Sequence, residues 1–105
     1  MRWTVKVLRA AAKEVSNLPS DLSAQFIDTV RNIEAHGIET VDTKSIGKGL
    51  YEIRLWAKSG TARALYVQRV GTVLLVVLVF AKKTQKTPAQ AIETALKRAK
   101  TYREE

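Results

Sequence analysis

What the chain lacks narrows its chemistry first. It has no cysteine, which excludes disulfides, thiolate metal sites and cysteine nucleophiles and fits an intracellular address. A single histidine, His36, cannot build a zinc site alone, and its position reads as the end of a helix. Five glycines never gather into a phosphate-cradling loop. Acidic residues are scarce after residue 43, where only Glu52, Glu93, Glu104 and Glu105 occur, too scattered to cage two metal ions. The apolar run Val73–Phe80 falls far short of the about 20 residues that a membrane helix needs. The start, Met1-Arg2-Trp3-Thr4-Val5-Lys6-Val7, mixes charge with alternating apolar residues and lacks a signal peptide's apolar core, so a cytoplasmic, unexported protein is expected.

What is present is positive charge, unevenly placed. Of the net +8, residues 1–43 contribute five basic and six acidic side chains, and residues 44–105 contribute thirteen basic and four acidic. A single-sign field over one half of a small chain attracts polyanions, so nucleic acid is the leading partner. A solvated basic surface that only aids solubility is the alternative. With 105 residues, 46% hydrophobic and 27% charged, residues 1–105 are expected to form one globular domain.

The pattern predicts an α+β fold. Trp3, Val5 and Val7 alternate with polar neighbours as a first strand. Ala10 to Val15 reads as a short helix that stops near Pro19. A longer helix starts at Ser20 or Asp21, with Leu22, Phe26, Val30 and Ile33 on a stripe beside Ile27, and ends at Gly37. Residues 38–48 show no period and read as loop. Leu50 to Ala57 alternates, placing Glu52, Arg54, Trp56 and Lys58 on one face. Ser59-Gly60 is a hairpin signal, Thr61 to Val70 alternates again, and Gly71 leads into the apolar run, a strand buried on both faces and expected at the centre of the sheet over residues 72–80. Thr87-Pro88-Ala89-Gln90 is a capping-box pattern opening a last helix, whose stripe is Ile92, Ala95, Leu96, Ala99 and Tyr102, with Lys97, Arg98, Lys100 and Arg103 towards solvent.

No standard catalytic motif is present. The chemistry available is a cationic constellation of Arg54, Arg63, Lys82, Lys83 and Lys86. Arginine can clamp a phosphate or stabilise developing charge but cannot act as a base, whereas a lysine beside a second cation at the end of a buried strand can have its pKa lowered enough to move a proton. A solvated basic pair is the plainer reading of Lys82 and Lys83. Because adjacent strand residues face opposite ways, at most one of the two enters a common site unless the strand bulges or ends there, and Lys82 is preferred. Trp56 and Tyr51 are candidates to stack on bases or simply to pack.

The succession Gly49-Leu50-Tyr51-Glu52-Ile53-Arg54, Ala62-Arg63-Ala64-Leu65-Tyr66, Val79-Phe80-Ala81-Lys82-Lys83-Thr84-Gln85-Lys86-Thr87-Pro88 and Ala91-Ile92-Glu93-Thr94-Ala95 resembles the HigB-like, phage-derived branch of the RelE toxin superfamily. It does so strongly over residues 49–102 and by layout alone before them. The resemblance implies a β-α-α-β-β-β fold with a C-terminal helix, built of antiparallel hairpins around the strand at 72–80. It implies the toxin of a type II toxin–antitoxin system, a ribosome-dependent endoribonuclease (an mRNA interferase) that inhibits translation. A ribose 2′-hydroxyl would attack the adjacent phosphate without metal or cofactor. Arg63 matches the phosphate-holding arginine of the middle strand. Lys82 and Lys83 stand at the last strand's end, where relatives place an arginine, histidine or aspartate, and Arg54 matches a positive strand residue. Phe80 and Ala81 stand where some relatives carry a histidine or tyrosine, so no general base is assigned. Trp56, Lys58, Lys86, Lys97, Arg98 and Lys100 are the expected RNA-contacting residues. The implied partners are a cognate helix-turn-helix antitoxin, through which the oligomeric state is set, and the ribosome with messenger RNA, with no membrane. A non-catalytic module of the same fold that binds nucleic acid or antitoxin is the alternative.

Overall fold

The structure, a computed structural model, describes residues 3–69, 71–82 and 87–102. Along the chain come β1 (Thr4–Val7), α1 (Arg9–Ser16), α2 (Ser20–His36), a 3-10 turn (Ile38–Thr40), β2 (Thr43–Gly47), β3 (Leu50–Ala57), β4 (Gly60–Gln68), β5 (Val73–Ala81) and α3 (Ala89–Thr101). The strands form one sheet in the order β1-β5-β4-β3-β2. β2, β3, β4 and β5 pair antiparallel with one another, and β1 lies parallel to β5. No described helix is long and apolar enough to cross a membrane.

The sheet is covered on both sides. Leu22, Phe26 and Ile33 of α2 and Ala11 of α1 pack with Ile53, Leu55, Ala64, Tyr66, Leu74, Val76 and Val79 on one face. Ala95, Ile92, Leu96, Ala99 and Tyr102 of α3 pack with Leu50, Leu65, Leu75, Val77 and Leu78 on the other. The strand at 72–80, expected at the centre, is second from the edge, and β4 holds the middle place; β5 is nevertheless covered on both faces, with Leu74 to Val79 all buried, so neither face can alternate with polar residues.

Four local expectations are corrected. Residues 38–48 are not loop, because β2 pairs Lys44 with Glu52 and Thr43 with Ile53. Its sequence is short, polar and exposed, as an edge strand can be, so it carries no alternation to read. On α2, Thr29 rather than Ile27 completes the buried stripe. The Thr29 hydroxyl is satisfied by donating to the Gln25 carbonyl at 2.8 Å, while Ile27 is exposed. The β3–β4 turn consists of Lys58 and Ser59, since Ala57 already pairs with Gly60. The capping box does not form: α3 starts at Ala89 after Pro88 with no side-chain cap, because the Thr87 hydroxyl is engaged elsewhere. Gly37 does close α2, as expected. Its φ of 98° is left-handed, and a β-carbon there would stand 3.0 Å from Glu39 Oε2 and 3.2 Å from Trp3 Nε1.

One side chain staples the helical layer to the sheet's far turn. The Asp21 carboxylate in the first turn of α2 accepts the Ser59 backbone N–H at 2.9 Å and its hydroxyl at 2.5 Å. These bonds hold the carboxyl below the ordinary carboxylate range. A carboxyl so shifted adds stability at any pH above its unfolded-state value, and that contribution disappears as pH falls through the folded-state value. Asp21→Asn is therefore expected to lower the melting temperature at neutral pH, with the gap to wild type closing on acidification through the carboxylate range in thermal melts.

Candidate functional site: a buried charge cluster under helix α3

Strand register sets the site. Arg54 of β3 stands opposite Arg63 of β4, and Arg63 stands opposite Phe80 of β5. Glu52 lies two residues before Arg54, on the same face by strand alternation. The Lys82 backbone N–H donates to the Thr61 carbonyl at 3.0 Å, and the Thr61 hydroxyl donates to the Lys82 carbonyl at 2.7 Å, which fixes the chain where β5 ends.

Whether Lys82 faces this cluster depends on a β-bulge. Leu65 pairs with Leu78 but Tyr66 with Val76, so Val77 is an extra residue on β5. Val77 and Leu78 therefore both join the α3-side core, while Leu74, Val76 and Val79 face α1 and α2. An unbulged strand would keep Phe80 and Lys82 in phase with Leu74 and Val76, on the wrong side. The bulge turns them to the face of Glu52 and Arg63.

There the charges meet. Glu52 is fully buried, and Arg63 and Lys82 are each 5% exposed. Glu52 Oε1 lies 3.3 Å from Arg63 Nε, and Oε2 lies 3.9 Å from Lys82 Nζ. Thr87, at the approach to α3, donates its hydroxyl to Glu52 Oε2 and receives a bond from Lys82 Nζ at 3.3 Å. Arg63 Nη1 donates to the Ala62 carbonyl at 3.1 Å. Arg54 is half-buried, and its buried Nε has no hydrogen-bond partner. Burial pushes the Lys82 ammonium below the ordinary lysine value; Glu52 opposes that shift, and Arg63, Lys44 and Arg54 add to it. With one carboxylate against Arg54, Arg63 and Lys82, the cluster keeps a surplus of positive charge and attracts an anion.

The structure brings Arg54, Arg63 and Lys82 together and disperses the other expected residues. Trp56, two residues beyond Arg54, is 51% exposed. Lys58 is exposed in the β3–β4 turn, and Lys97 and Lys100 are exposed on α3. Lys83 and Lys86 lie outside the described residues. Tyr51 is on the opposite face, stacked on Tyr66 with ring centroids 5.4 Å apart, so it packs rather than flanking the cations. Arg98 is engaged in structure: it bonds Glu14 at 2.9 and 3.1 Å and the Val77 carbonyl of the bulge at 2.9 Å, while Glu14 also accepts the Val79 N–H at 3.0 Å. β1 follows β5 only to Val76, and this clasp satisfies the edge beyond it. Two residues escaped the sequence reading. Glu52 enters the sequence reading only against metal binding, although its place on the cationic face of an alternating strand signals ion pairing; Lys44 sits on a strand that has no pattern. Among the described residues no group of histidines, cysteines or carboxylates could hold a metal ion. Clefts of about 480 Å³ beside Trp3 and Arg31 and about 420 Å³ between Ile46 and Leu96 do not include the cluster.

Residues 13–100 match the family model of the phage-derived protein Gp49-like. The chain belongs to this family. No curated protein sequence matches it. Among solved structures, this Gp49-like chain is similar to the Escherichia coli toxin RelE in the free state, a mutant with two arginines replaced by alanine, at 23% identity and TM-score 0.67 over 93% of this chain and 98% of that one. It is similar also to the toxin–antitoxin complex RelBE2 from Mycobacterium tuberculosis, at 17% identity and TM-score 0.60 over 78% and 100%. The RelE–RelB complex of the archaeon Pyrococcus horikoshii matches at 19% identity and TM-score 0.57 over 77% and 96%. The Gp49-like chain thus has the RelE fold, an α+β architecture, as its sequence predicted.

The clasp generates a test on the fold. Arg98→Met leaves the Val77 carbonyl and Glu14 without their donor and is expected to destabilise the protein by about 1–3 kcal/mol in denaturant titrations. Lys97→Ala and Lys100→Ala, both exposed, should stay within about 0.5 kcal/mol of wild type.

Proposed function

We propose that this protein is the toxin of a type II toxin–antitoxin pair, a metal-independent endoribonuclease that cleaves messenger RNA on the ribosome and is held inactive by a helix-turn-helix antitoxin. The observation that carries the reading is the convergence of Arg63 and Lys82, from two strands, on one buried face with a surplus of positive charge. Membership of the Gp49-like family and the RelE fold support it, as does the presence of a toxin–antitoxin complex among the similar structures.

In the chemistry that fits this cluster, a ribose 2′-oxygen attacks the adjacent phosphorus and the bond to the 5′-oxygen breaks, leaving a cyclic phosphate and a 5′-hydroxyl. One proton leaves the 2′-oxygen and one reaches the departing 5′-oxygen. Arg63, always charged, meets the negative charge that builds on the phosphoryl oxygens. Lys82, made less basic by burial, is the member of the pair whose proton can be given up, since arginine keeps its own. Arg54 extends the cationic track towards Trp56, whose exposed ring offers a platform for a base. The exposed Lys58, Lys97 and Lys100 add long-range attraction for the RNA backbone.

The burial of Arg63 and Lys82 favours a second reading, in which the exposed cations bind RNA or an antitoxin and no cleavage follows. One variant separates the two. Arg63→Ala is expected to abolish growth arrest on induced expression and to lower single-turnover RNA cleavage by about 10²–10³, with Arg63→Lys restoring only part of it because the planar fork is lost. Folded Arg63→Ala protein with undiminished cleavage and toxicity would overturn the enzymatic reading. RNA affinity should also fall steeply between about 50 and 200 mM salt, as phosphate neutralisation requires; a flat dependence removes the electrostatic account of binding.

A further inference from the structure

We infer that Glu52 is a positioning residue: from the buried floor of the site its carboxylate holds Arg63 and Lys82 on one face of the sheet. The inference rests on the ribonuclease reading for its effect on rate, but its effect on Lys82 is independent of that reading. Three strands and the approach to α3 meet at one carboxylate. Glu52 comes from β3, Arg63 from β4, Lys82 from the end of β5 and Thr87 from the residue before Pro88, and all four are buried. The two oxygens are divided: Oε1 faces Arg63 Nε at 3.3 Å, and Oε2 faces Lys82 Nζ at 3.9 Å and accepts the Thr87 hydroxyl.

A carboxylate so placed is costly to bury and adds little to stability against an apolar isostere. Its effect here is on its neighbours. Without Glu52, Arg63 and Lys82 would be like charges in a site depleted of water, with Arg54 alongside and Lys44 across the sheet from Glu52. Lys82 would then shed its proton at lower pH, and Arg63 would lose the carboxylate oxygen 3.3 Å from its Nε, an ion-pair contact that is not a hydrogen bond. Among the described residues, the charged groups acting on Lys82 are Glu52 and Arg54 of β3, Arg63 of β4 and Lys44 of β2, and of these Glu52 favours the ammonium, as does the Thr87 hydroxyl that accepts from it. A phosphate oxygen entering between Arg63 and Lys82 competes with Glu52 for the same donors, so the pair is preorganised yet releasable.

The test uses Glu52→Gln in the full chain, which keeps the shape and the acceptor for Thr87 and removes the charge. Titration of the Lys82 side chain by NMR is expected to show its midpoint moved to lower pH in the variant. In single-turnover cleavage of RNA the rate is expected to fall about 10²-fold, the scale of a misplaced catalytic group, and the limb of the pH–rate profile that disappears in Lys82→Ala should move the same way. An unmoved Lys82 midpoint overturns the inference, whether or not the protein cuts RNA; a moved midpoint in a protein without cleavage upholds the effect on Lys82 and removes the ribonuclease reading instead. Loss of rate with an unshifted pH limb also overturns it, since a merely structural glutamate would behave so. Should Glu52→Gln fail to fold, Thr87→Val removes the hydroxyl that donates to the Glu52 carboxylate and accepts from Lys82 Nζ, without changing the charge of either: a lowered rate in folded protein upholds the geometric role, and a wild-type rate overturns it.

Discussion

Glu52 is fully buried on β3, and an unpaired carboxylate there would lose several kcal/mol of hydration. Much of the α3-side layout follows from that penalty. Arg63 must present its guanidinium, β5 must end where Lys82 can reach, and the chain must bring Thr87 down before it turns into α3. The apolar face of α3 alone would permit a range of positions over Leu50, Leu65 and Val77; the hydrogen bond from Thr87 selects one. Arg69 adds a tie at the other end, with its guanidinium 5.4 Å from the centre of the Tyr102 ring.

The bulge at Val77 is the second determinant. It costs a ladder interaction on β5 and exposes a carbonyl beyond the reach of β1, and the Glu14–Arg98 clasp takes up both that carbonyl and the Val79 N–H. Residues from the two helical layers thus meet around the unpaired edge of β5. The orientation of Lys82 depends on residues as distant in sequence as Glu14, and Arg98 serves the site from beneath.

Much of this architecture was legible, and the losses have physical causes. α2 and α3 bury one face each, and β3 and β4, though covered on both faces, alternate apolar residues with charged or small ones between turn residues, so period and turns make all four legible. β2 buries almost nothing and therefore carries no pattern. The run from Val73 to Phe80 is apolar on both sides, so the parity change at Val77 leaves no trace in the residue types. Thr87 and Gln90 have the spacing of a capping box, but a buried carboxylate is a stronger claim on a hydroxyl than a solvent-facing helix end. Arg54, Arg63 and Lys82 stand out in the sequence as cations on or at the end of otherwise apolar strands; Glu52 does not, because a lone acid among cations shows its ion-pair partners only once the strand register is known.

The parallel pairing of β1 with β5 sets an order of events during synthesis. Thr4 hydrogen-bonds along the strand that begins at Val73, so the first strand to leave the ribosome waits for the last. At about 5–20 residues per second that wait lasts roughly 4–14 s. In the interval α1 and α2 can form from local contacts, whereas Glu14 has no Arg98 to clasp and Glu52 has no Lys82 beside it. The chain therefore completes its charge cluster only once Lys82 and Thr87 have been made, and its clasp only once Arg98 of α3 follows, so a nascent chain cut short before them would carry the apolar faces of the sheet without the cations arranged upon them.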